Sequence, residues 1–438
     1  MEINLSTYES YISKFNPIKL KGSVSQVVGL VVETEGPLAS IGELCTIIPL
    51  GENPLIQAEV VGFREKKILL MPFGDLKGIS PGCEVIASGN FQTVKVSEKI
   101  LGRVIDGAGC PLDGKGILPL EDKFSIYNQP LNPLKRKRIK EPLATGIRAI
   151  DGLLACGKGQ RMGIFAGSGV GKSVLLGMIA RNTSADVNVV ALIGERGREV
   201  REFIEKDLGE EGLARSVVVA VTSDKPPLLR RQGPLIAMAI AEYFRDKGKD
   251  VMFMMDSVTR FAMAQREIGL AIGEPPTTKG YTPSVFAMLP KLLERAGTVE
   301  GGGSITGLFT VLVDADDMNE PIADASRSIL DGHIVLSRAI AAHNHYPAID
   351  ILNSLSRLMT EVVTPEAKSM ANRLRDVLAT YKDAEDIINI GAYVAGSSPS
   401  IDYALKMIDP INKFLQQGIN ERVGYQEVLE GMKGIVEN

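Results

Sequence analysis

The chain of 438 residues has little cysteine and little histidine. Its four cysteines form no C-x-x-C pair, so the sequence indicates neither a zinc-binding nor a redox motif. We expect reduced and mostly buried thiols of a cytoplasmic protein, and these residues are Cys45, Cys83, Cys110 and Cys156. His343 and His345 form an H-x-H pair, but with only His333 besides them we expect no histidine metal site.

Long apolar runs and a strong net charge are also missing. No apolar run approaches the ~20 residues that a membrane-spanning helix needs. The N-terminus, Met1-Glu-Ile-Asn-Leu5, lacks the basic and apolar regions of a signal peptide, so we expect none. A net charge of −4 argues against a generally basic surface for nucleic acid. We therefore expect a cytoplasmic protein of two or three domains, attached to a membrane at most peripherally.

The most informative stretch is a glycine-rich loop between an apolar run and a helical pattern, Arg161-Met-Gly-Ile-Phe-Ala-Gly-Ser-Gly-Val-Gly-Lys-Ser173. Its glycines allow positive φ and a close approach of the backbone to a ligand. N–H groups at the helix start bind anions, Lys172 can reach β- and γ-phosphate oxygens, and Ser173 can bind Mg²⁺. Ala166 stands where the usual pattern has glycine, which is a small departure because alanine has the next smallest side chain.

This loop predicts an ATP site. The alternative, a glycine-rich turn with an incidental Lys-Ser, is disfavoured because a strand pattern precedes the loop and a helical pattern follows it. The expected ATP-binding residues of the loop are Ala166, Gly167, Ser168, Gly169, Val170, Gly171, Lys172, Ser173 and Val174.

Two carboxylates are expected at the same edge of the sheet. Asp256 ends the apolar run Val251–Met255, and Glu195 follows the apolar run 188–193. Ligands of open α/β sheets bind at the carboxyl ends of the strands. Asp256 suits the water shell of Mg²⁺, and Glu195 can orient the attacking water. Capping of a neighbouring helix is the structural alternative for both.

The hydrophobic patterns divide the chain into four parts. Residues 1–21 place apolar side chains at helical spacing (Leu5, Tyr8, Ile12 and Phe15), as in an amphipathic helix that docks on a partner, a membrane or its own domain. Residues 22–94 hold short β segments and predict a small closed barrel. Residues 95–363 begin loop-rich and then alternate strands with helices, which predicts a parallel sheet covered on both faces. Residues 364–438 are predicted to be helical.

One basic run, Lys135-Arg-Lys-Arg-Ile-Lys140, stands out in the loop-rich part. A solvated connector explains it most simply, and an anionic partner such as lipid headgroups or nucleic acid is the alternative.

Several motifs together carry a resemblance to a known family. The phosphate loop, Gly194-Glu-Arg-Gly-Arg-Glu199 and Met254-Met-Asp-Ser-Val-Thr-Arg260 resemble the catalytic subunits of rotary ATPases. The type III secretion ATPases are closer still, through these runs: Gly280-Tyr-Thr-Pro-Ser-Val-Phe286, Leu292-Leu-Glu-Arg-Ala-Gly297, Asp317-Met-Asn-Glu-Pro-Ile-Ala-Asp324 and Asp331-Gly-His-Ile-Val-Leu-Ser-Arg338. Phe165-Ala-Gly-Ser-Gly169 and Ser304-Ile-Thr-Gly-Leu-Phe309 resemble the flagellar branch.

The resemblance implies a multi-domain α/β fold with an N-terminal β-barrel, a central RecA-like P-loop sheet and a C-terminal helical domain. It also implies roles for individual residues. Glu195 would be the catalytic carboxylate, Arg196 would contact the γ-phosphate region, and Arg357 would be an arginine finger that reaches a neighbour's nucleotide. Tyr346 would stack on adenine, and Mg²⁺ would be held by Ser173 and, through water, by Asp256.

One chain that carries both the glutamate and the finger can complete a site at every interface of a closed ring, which favours a homohexamer. The partners implied by the resemblance are a stator-like regulatory protein and lipid at residues 1–20, a central stalk protein, membrane proteins of the export gate, export substrates and their chaperones. The implied location is the inner face of the cytoplasmic membrane.

We therefore expect a Mg²⁺-dependent ATPase that energises or primes flagellar type III protein export. The alternatives are an injectisome secretion ATPase and a catalytic subunit of an ion-translocating rotary ATPase. The Asp-Glu-Leu-Ser-Glu-Glu-Asp element typical of synthase β subunits is absent from the sequence, which weakens the second alternative. A hexameric RNA translocase is disfavoured by the acidic balance, and a non-catalytic ring subunit by Lys172, Glu195, Asp256 and Arg357 together.

Overall fold

A computed structural model describes residues 20–51, 53–118, 122–167, 169–313 and 317–437. The amphipathic helix expected near the N-terminus and Ser168 of the phosphate loop therefore lie outside the described residues. The chain divides into two compact units. The barrel belongs to the first, and the large sheet with the C-terminal helices belongs to the second.

The first unit contains a closed antiparallel β-barrel, as the sequence predicts. Its strands are β1 (Lys21–Val28), β2 (Val31–Glu35), β3 (Glu43–Ile48), β4 (Ile56–Arg64), β5 (Lys67–Pro72) and β6 (Glu84–Phe91), joined in the order β1-β2-β5-β4-β3-β6. Val24, Val32 and Leu70 are among the side chains that fill its core. The apolar run Val24–Val32 is not one strand, because Gly29 takes a positive φ of 59° and turns the chain into a β1–β2 hairpin.

The second unit is built on a mostly parallel sheet, also as expected. Its strands are β8 (Arg103–Ile105), β12 (Arg161–Ala166), β13 (Val187–Glu195), β14 (Ser216–Thr222), β15 (Asp250–Asp256), β16 (Gly297–Thr298), β17 (Ser304–Leu312), β18 (Gly332–Leu336) and β19 (Ile349–Ser356). Their order is β19-β18-β12-β17-β15-β13-β14-β8, with β16 paired to β17. All pairs are parallel except β18–β19 and β16–β17.

The sheet begins earlier in the chain than the sequence indicates. The loop-rich part from residue 95 contributes β8, which pairs with β14 at the sheet edge. Two small ladders flank this region; they pair β7 (Thr93–Val96) with β9 (Asp122–Ser125), and β10 (Pro142–Leu143) with β11 (Cys156–Gly157). Within the basic run, Arg136 is half-buried and its guanidinium donates to the carbonyls of Glu294 and Ala296. That arginine therefore has a structural role.

Helices cover the sheet, and strands β13 and β15 are accordingly apolar along almost their whole length. The helices of this region are α1 (Arg148–Leu153), α2 (Lys172–Asn182), α3 (Gly197–Glu202), α4 (Gly209–Ala214), α5 (Pro227–Asp246), α6 (Val258–Ile272), α7 (Pro283–Leu293), α8 (Pro321–Ile329), α9 (Arg338–Ala342) and α10 (Met359–Val362). A π-helical turn, Phe203–Leu208, joins α3 to α4. The methionines of β15 lie in the core.

The C-terminal region is helical, with α11 (Pro365–Asn389), α12 (Pro399–Leu415) and α13 (Tyr425–Val436). Thr364 caps α11 by accepting the Ala367 N–H, and Pro365 takes the first helical position, as the sequence predicts. Helix α12 ends at Leu415, because the C-cap residue Gln416 is extended. In the part of the chain that the structure describes, no helix is both long and apolar enough to cross a membrane.

Candidate active site

The glycine loop lies at the carboxyl end of β12, a strand in the interior of the sheet between β17 and β18. Gly169 and Gly171 have φ values of 80° and 87°, in the left-handed region that glycine adopts without strain. Gly171 is the N-cap of α2, and its carbonyl accepts the Leu175 N–H at 3.0 Å. The loop therefore presents a helix N-terminus at the sheet edge where strand-end side chains gather.

Lys172, Glu195 and Asp256 come together at this edge. The Lys172 ammonium lies 2.5 Å from Oδ1 of Asp256 and 3.8 Å from Oε1 of Glu195. The parallel register explains this proximity, because Leu192 of β13 pairs with Asp256 of β15. Asp256 is only 3% exposed, and the Thr310 hydroxyl of β17 donates to its Oδ1 at 2.8 Å. The cluster thus holds one buried carboxylate and one cation at the end of the phosphate loop.

Glu195 is a carboxyl group with a perturbed proton affinity. Burial raises the pKa of Glu195 to about 7, and the nearby charge of Asp256 adds to the effect while Lys172 opposes it. Burial alone would raise the pKa of Glu199, but a hydrogen bond from the Glu195 carboxyl and one from the Arg196 backbone lower it. The shared proton therefore resides on Glu195, which changes charge near neutral pH and is suited to proton transfer.

A cleft of about 520 Å³ opens over these groups. Among its lining residues are Lys172, Ser173, Glu195, Arg196, Glu199 and Arg260. Arg196 is 81% exposed on its side chain and pairs with Glu199 at 3.3 Å. Positive and negative side chains thus face one another across a space large enough for a nucleotide.

Several cleft residues were not among the predicted site residues, and two of them, Arg260 and Glu199, contact predicted ones or the segments that hold them. Arg260 lines the cleft, and its Nε is buried without a hydrogen-bond partner among the described residues. Its side chain packs beside Gly194, where a Cβ would lie 2.9 Å from the Cβ of Arg260. Glu199 hydrogen-bonds Glu195. A signal existed for both, since Glu199 and Arg260 are the last residues of the motifs Gly194–Glu199 and Met254–Arg260 that carry the resemblance.

Tyr346 lies beside the loop and is 41% exposed, so it is not the core aromatic that a purely structural role would favour. A Cβ built on Gly171 would lie 3.6 Å from two of its ring carbons. The structure therefore brings this aromatic ring next to the start of α2, where a base attached to bound phosphates can stack on it.

Among the predicted site residues that the structure describes, Arg357 is the one that lies away from the cluster. Ala166 pairs with Leu336 at the loop end of β18, whereas Gly332 at the other end of β18 pairs with Ser356. Four residues of strand separate these two positions, or about 13 Å. Arg357 is exposed, and its guanidinium makes one long contact of 3.5 Å to the Arg327 carbonyl.

The site suits a Mg²⁺–nucleotide complex. Ser173, Glu195 and Asp256 surround a small hollow, and Oε1 of Glu195 is buried there without a hydrogen-bond partner among the described residues. These groups offer oxygen atoms, which are the ligands that Mg²⁺ prefers, and Mg²⁺ usually keeps several waters and phosphate oxygens in its shell. Bound Mg²⁺ would supply positive charge that stabilises the negative charge developing on the phosphates during transfer.

A glycine loop between an interior parallel strand and a helix, with its lysine paired to a strand-end aspartate, defines a P-loop nucleoside triphosphatase. Family models agree with this class, and three of them match parts of the barrel, the nucleotide-binding region and the C-terminal helices. The nucleotide-binding domain of the ATP synthase alpha/beta family matches residues 146–356, and the beta-barrel domain of the same family matches residues 24–89. The C-terminal domain of the type III secretion ATPase EscN matches residues 363–434.

Individual relatives specify the family. The flagellum-specific ATP synthase of Bacillus subtilis is 56% identical over 96% of each chain. The assembled ATPase EscN of the enteropathogenic E. coli type III secretion system superposes with a TM-score of 0.90 at 47% identity, covering 95% of this chain and 100% of that one. EscN in complex with its central stalk EscO gives a TM-score of 0.87 at 46% identity and the same coverage. The chain therefore belongs to the flagellar type III secretion ATPases, and it is an ATP hydrolase.

Proposed function

We propose that this ATPase energises or primes flagellar protein export as a ring of identical subunits, in which each catalytic site is completed by the neighbouring chain. The observation that carries the proposal is the position of Arg357. Its backbone follows the end of β19 that pairs with Gly332, and the length of β18 separates that position from the phosphate loop of its own chain by about 13 Å. An arginine that stabilises transition-state charge must reach the γ-phosphate. Arg357 therefore acts on a neighbour's nucleotide, and a closed ring lets every chain both donate and receive one.

Within one chain, the residues of the cleft divide the work on ATP. Backbone N–H groups of 166–174 and the Lys172 ammonium hold the phosphates, and Tyr346 stacks on adenine. The Ser173 hydroxyl would hold Mg²⁺ directly, and Asp256 would hold it through water. Glu195 in its anionic form orients the attacking water and accepts its proton, while Arg196 approaches the γ-phosphate region. Arg260, which lines the same cleft, is a second cation for that region.

The ring works with partners at three places. EscN has been solved with its central stalk EscO, and we propose that a stalk protein occupies the centre of this ring too. Residues 1–20 bind a stator-like regulatory protein and lipid, which holds the ring at the inner face of the cytoplasmic membrane beside the export gate. The C-terminal helical region meets export substrates and chaperones. The proposal includes no nucleic-acid partner.

Subunit mixing tests the shared site. A ring made only of Arg357→Ala chains, or only of Lys172→Ala chains, should assemble but not hydrolyse ATP. Every site in such a ring lacks either the arginine finger or the phosphate-binding lysine. In a mixture, a Lys172→Ala chain still donates its Arg357 to an intact loop on an Arg357→Ala neighbour. We expect the mixture to regain measurable ATP hydrolysis. The rate should rise with the fraction of chains that light scattering shows to be assembled.

Two outcomes would overturn the proposal. One is an inactive mixture although both variants co-assemble; the other is an Arg357→Ala protein that turns over ATP at the wild-type rate. Full activity of the wild-type chain at concentrations where light scattering shows only monomer would also contradict a site shared between chains.

A further inference from the structure

Gln417 is a buried amide whose hydrogen-bonding groups are all used. It is 5% exposed and follows directly after the end of α12. Its Oε1 accepts the Arg148 N–H at 2.9 Å, and its Nε2 donates to the carbonyls of Gly146 at 2.8 Å and Glu421 at 3.1 Å. A buried amide satisfied on every side fixes the segments around it, because moving any one of them leaves a buried polar group unpaired.

The backbone of the same residue reaches the nucleotide site. The Gln417 N–H donates to the carbonyl of Tyr346 at 2.9 Å. Tyr346 belongs to the short connection between α9 and β19, whose other backbone bonds, His345 N–H to Ile340 O and Ser337 N–H to Ala348 O, stay within or beside that connection. The bond from Gln417 therefore ties the tyrosine to the C-terminal helical region.

We propose that Gln417 is a positioning residue that sets the place of Tyr346 and so controls the base-recognising half of the ATP site. This inference rests on the proposed stacking of adenine on Tyr346. The side chain of Gln417 is anchored to the beginning of the nucleotide-binding region through Gly146 and Arg148. Its N–H then holds Tyr346 next to Gly171, and none of the hydrogen bonds of Gln417 goes to a described residue of the phosphate loop.

The arrangement predicts that the loss of Gln417 weakens recognition of the base but not recognition of the phosphates. Loss of the Gln417 side-chain bonds frees its backbone, and the Tyr346 ring is no longer fixed over the loop. Aromatic stacking contributes ~0.5–1.5 kcal/mol, so the affinity for ATP should fall by up to about tenfold. The affinity for inorganic tripolyphosphate, which has no base, should stay within about twofold, and kcat at saturating ATP should hardly change.

The test uses the full chain with Gln417→Met, which keeps the volume of the side chain and removes all its hydrogen bonds. Competition titrations against a fluorescent nucleotide give the dissociation constants of MgATP and magnesium tripolyphosphate, and steady-state kinetics give KM and kcat. Arg422→Ala is the matched control, because Arg422 joins the same C-terminal region to Glu211 through an exposed ion pair and touches neither Gln417 nor Tyr346. If Gln417→Met fails to fold, Gln417→Glu replaces it, since that side chain keeps the acceptor for Arg148 and loses the donor.

Each outcome decides a different point. A selective loss of ATP affinity in the Gln417 variant but not in Arg422→Ala supports the positioning role. If the affinities for ATP and tripolyphosphate fall equally, Gln417 has a general structural role. If neither affinity changes, Gln417 does not position Tyr346. Either result overturns the inference. Tyr346→Ala tests the proposed stacking separately from the positioning by Gln417. If this variant still prefers ATP over tripolyphosphate as the wild type does, Tyr346 does not stack on adenine. A strong effect of Tyr346→Ala with a silent Gln417→Met leaves the proposed function in place and removes only the positioning by Gln417.

Discussion

The ammonium group of Lys172 lies 2.5 Å from Oδ1 of Asp256, so the phosphate-binding lysine and the strand-end carboxylate form an ion pair. The pair is largely buried, with side-chain exposures of 12% and 4%. A carboxylate in this position attracts Mg²⁺ and repels phosphate oxygens. Nucleotide affinity therefore depends on how the charge of Lys172 is shared between Asp256 and the phosphates.

Asp256→Asn should separate metal binding from nucleotide binding. We expect ADP to bind as well as or better than in the wild type when Mg²⁺ is chelated, because the repelling charge is gone. The Mg²⁺ concentration for half-maximal activity should rise about 10–100-fold, the cost of losing a group that orders a metal-bound water. Calorimetric titration of ADP with and without Mg²⁺ measures the first effect, and hydrolysis assays over a range of Mg²⁺ concentrations measure the second. An equal loss of affinity under the two conditions would show that Asp256 acts only by holding Lys172 in place.

The phosphate loop and the strand-end carboxylates could be predicted from sequence because their signals are local. Glycine spacing gives the loop, and an apolar run that ends in Asp256 gives the sheet edge, where parallel strands bring their ends together. The barrel and the covered parallel sheet were predicted from hydrophobic patterns, the ATPase activity from the phosphate loop, and the family from the resemblance of its motifs; all four are confirmed. The roles of Tyr346 and Arg357 stay predictions that came from resemblance alone.

Other features depend on contacts between distant parts of the chain and have no local signal. Thr310 donates to Asp256 from a strand 54 residues later in the sequence. Gln417 reaches Tyr346 and Gly146, and no pattern around it in the sequence indicates either partner.

The pH dependence of hydrolysis should report the proton on Glu195. Only the anionic carboxylate can accept a proton from water, and the pKa of this group is about 7. We therefore expect kcat/KM to rise with pH through about 7 and then to level off on the alkaline side. Glu195→Gln should lower kcat by ~10²–10⁴-fold and leave a residual rate without this limb. An unchanged profile in the variant would assign the ionisation to another group.

Two helical glycines predict opposite effects on stability. A Cβ on Gly177 of α2 would lie 2.6 Å from both the Cβ and the carbonyl oxygen of Asp207 in the π-helical turn, so Gly177→Ala must push backbone apart. We expect Gly177→Ala to lower the free energy of unfolding by ~1–3 kcal/mol. ATP binding should also weaken, because Asp207 lines the cleft. Gly434 of α13 has no atom within 4 Å of such a Cβ, and Gly434→Ala should add ~0.5–1 kcal/mol. Denaturant unfolding of both variants decides whether the close approach of α2 to that turn is required.

The raised pKa of Glu195 also makes a prediction about stability. Its value is about 7 in the folded protein against an ordinary 4.5, so the folded state holds this proton more tightly. Below about pH 4.5 the group is neutral in both states. As pH rises from 4.5 to 7, the unfolded chain gains a solvated charge while the folded chain resists ionisation, and stability is lost until the folded group has ionised.

Glu195→Gln keeps the neutral form at every pH, so its advantage over the wild type should grow across this window and stay constant above it. The upper limit is ~3.5 kcal/mol, since the pKa rises from 4.5 to about 7 and one pKa unit corresponds to about 1.4 kcal/mol. Urea unfolding at pH 5 and pH 8 measures the difference between the two proteins, and Glu205→Gln, an exposed side chain at 58%, is the control that should change it little. An advantage that is the same at both pH values would mean that Glu195 ionises as freely in the folded protein as in the unfolded chain. If Glu195→Gln is stabilised more at pH 8 than at pH 5, the ionised Glu195 carboxylate lowers the free energy of unfolding of the wild type. Such a cost to stability is expected for a carboxylate that is placed for catalysis.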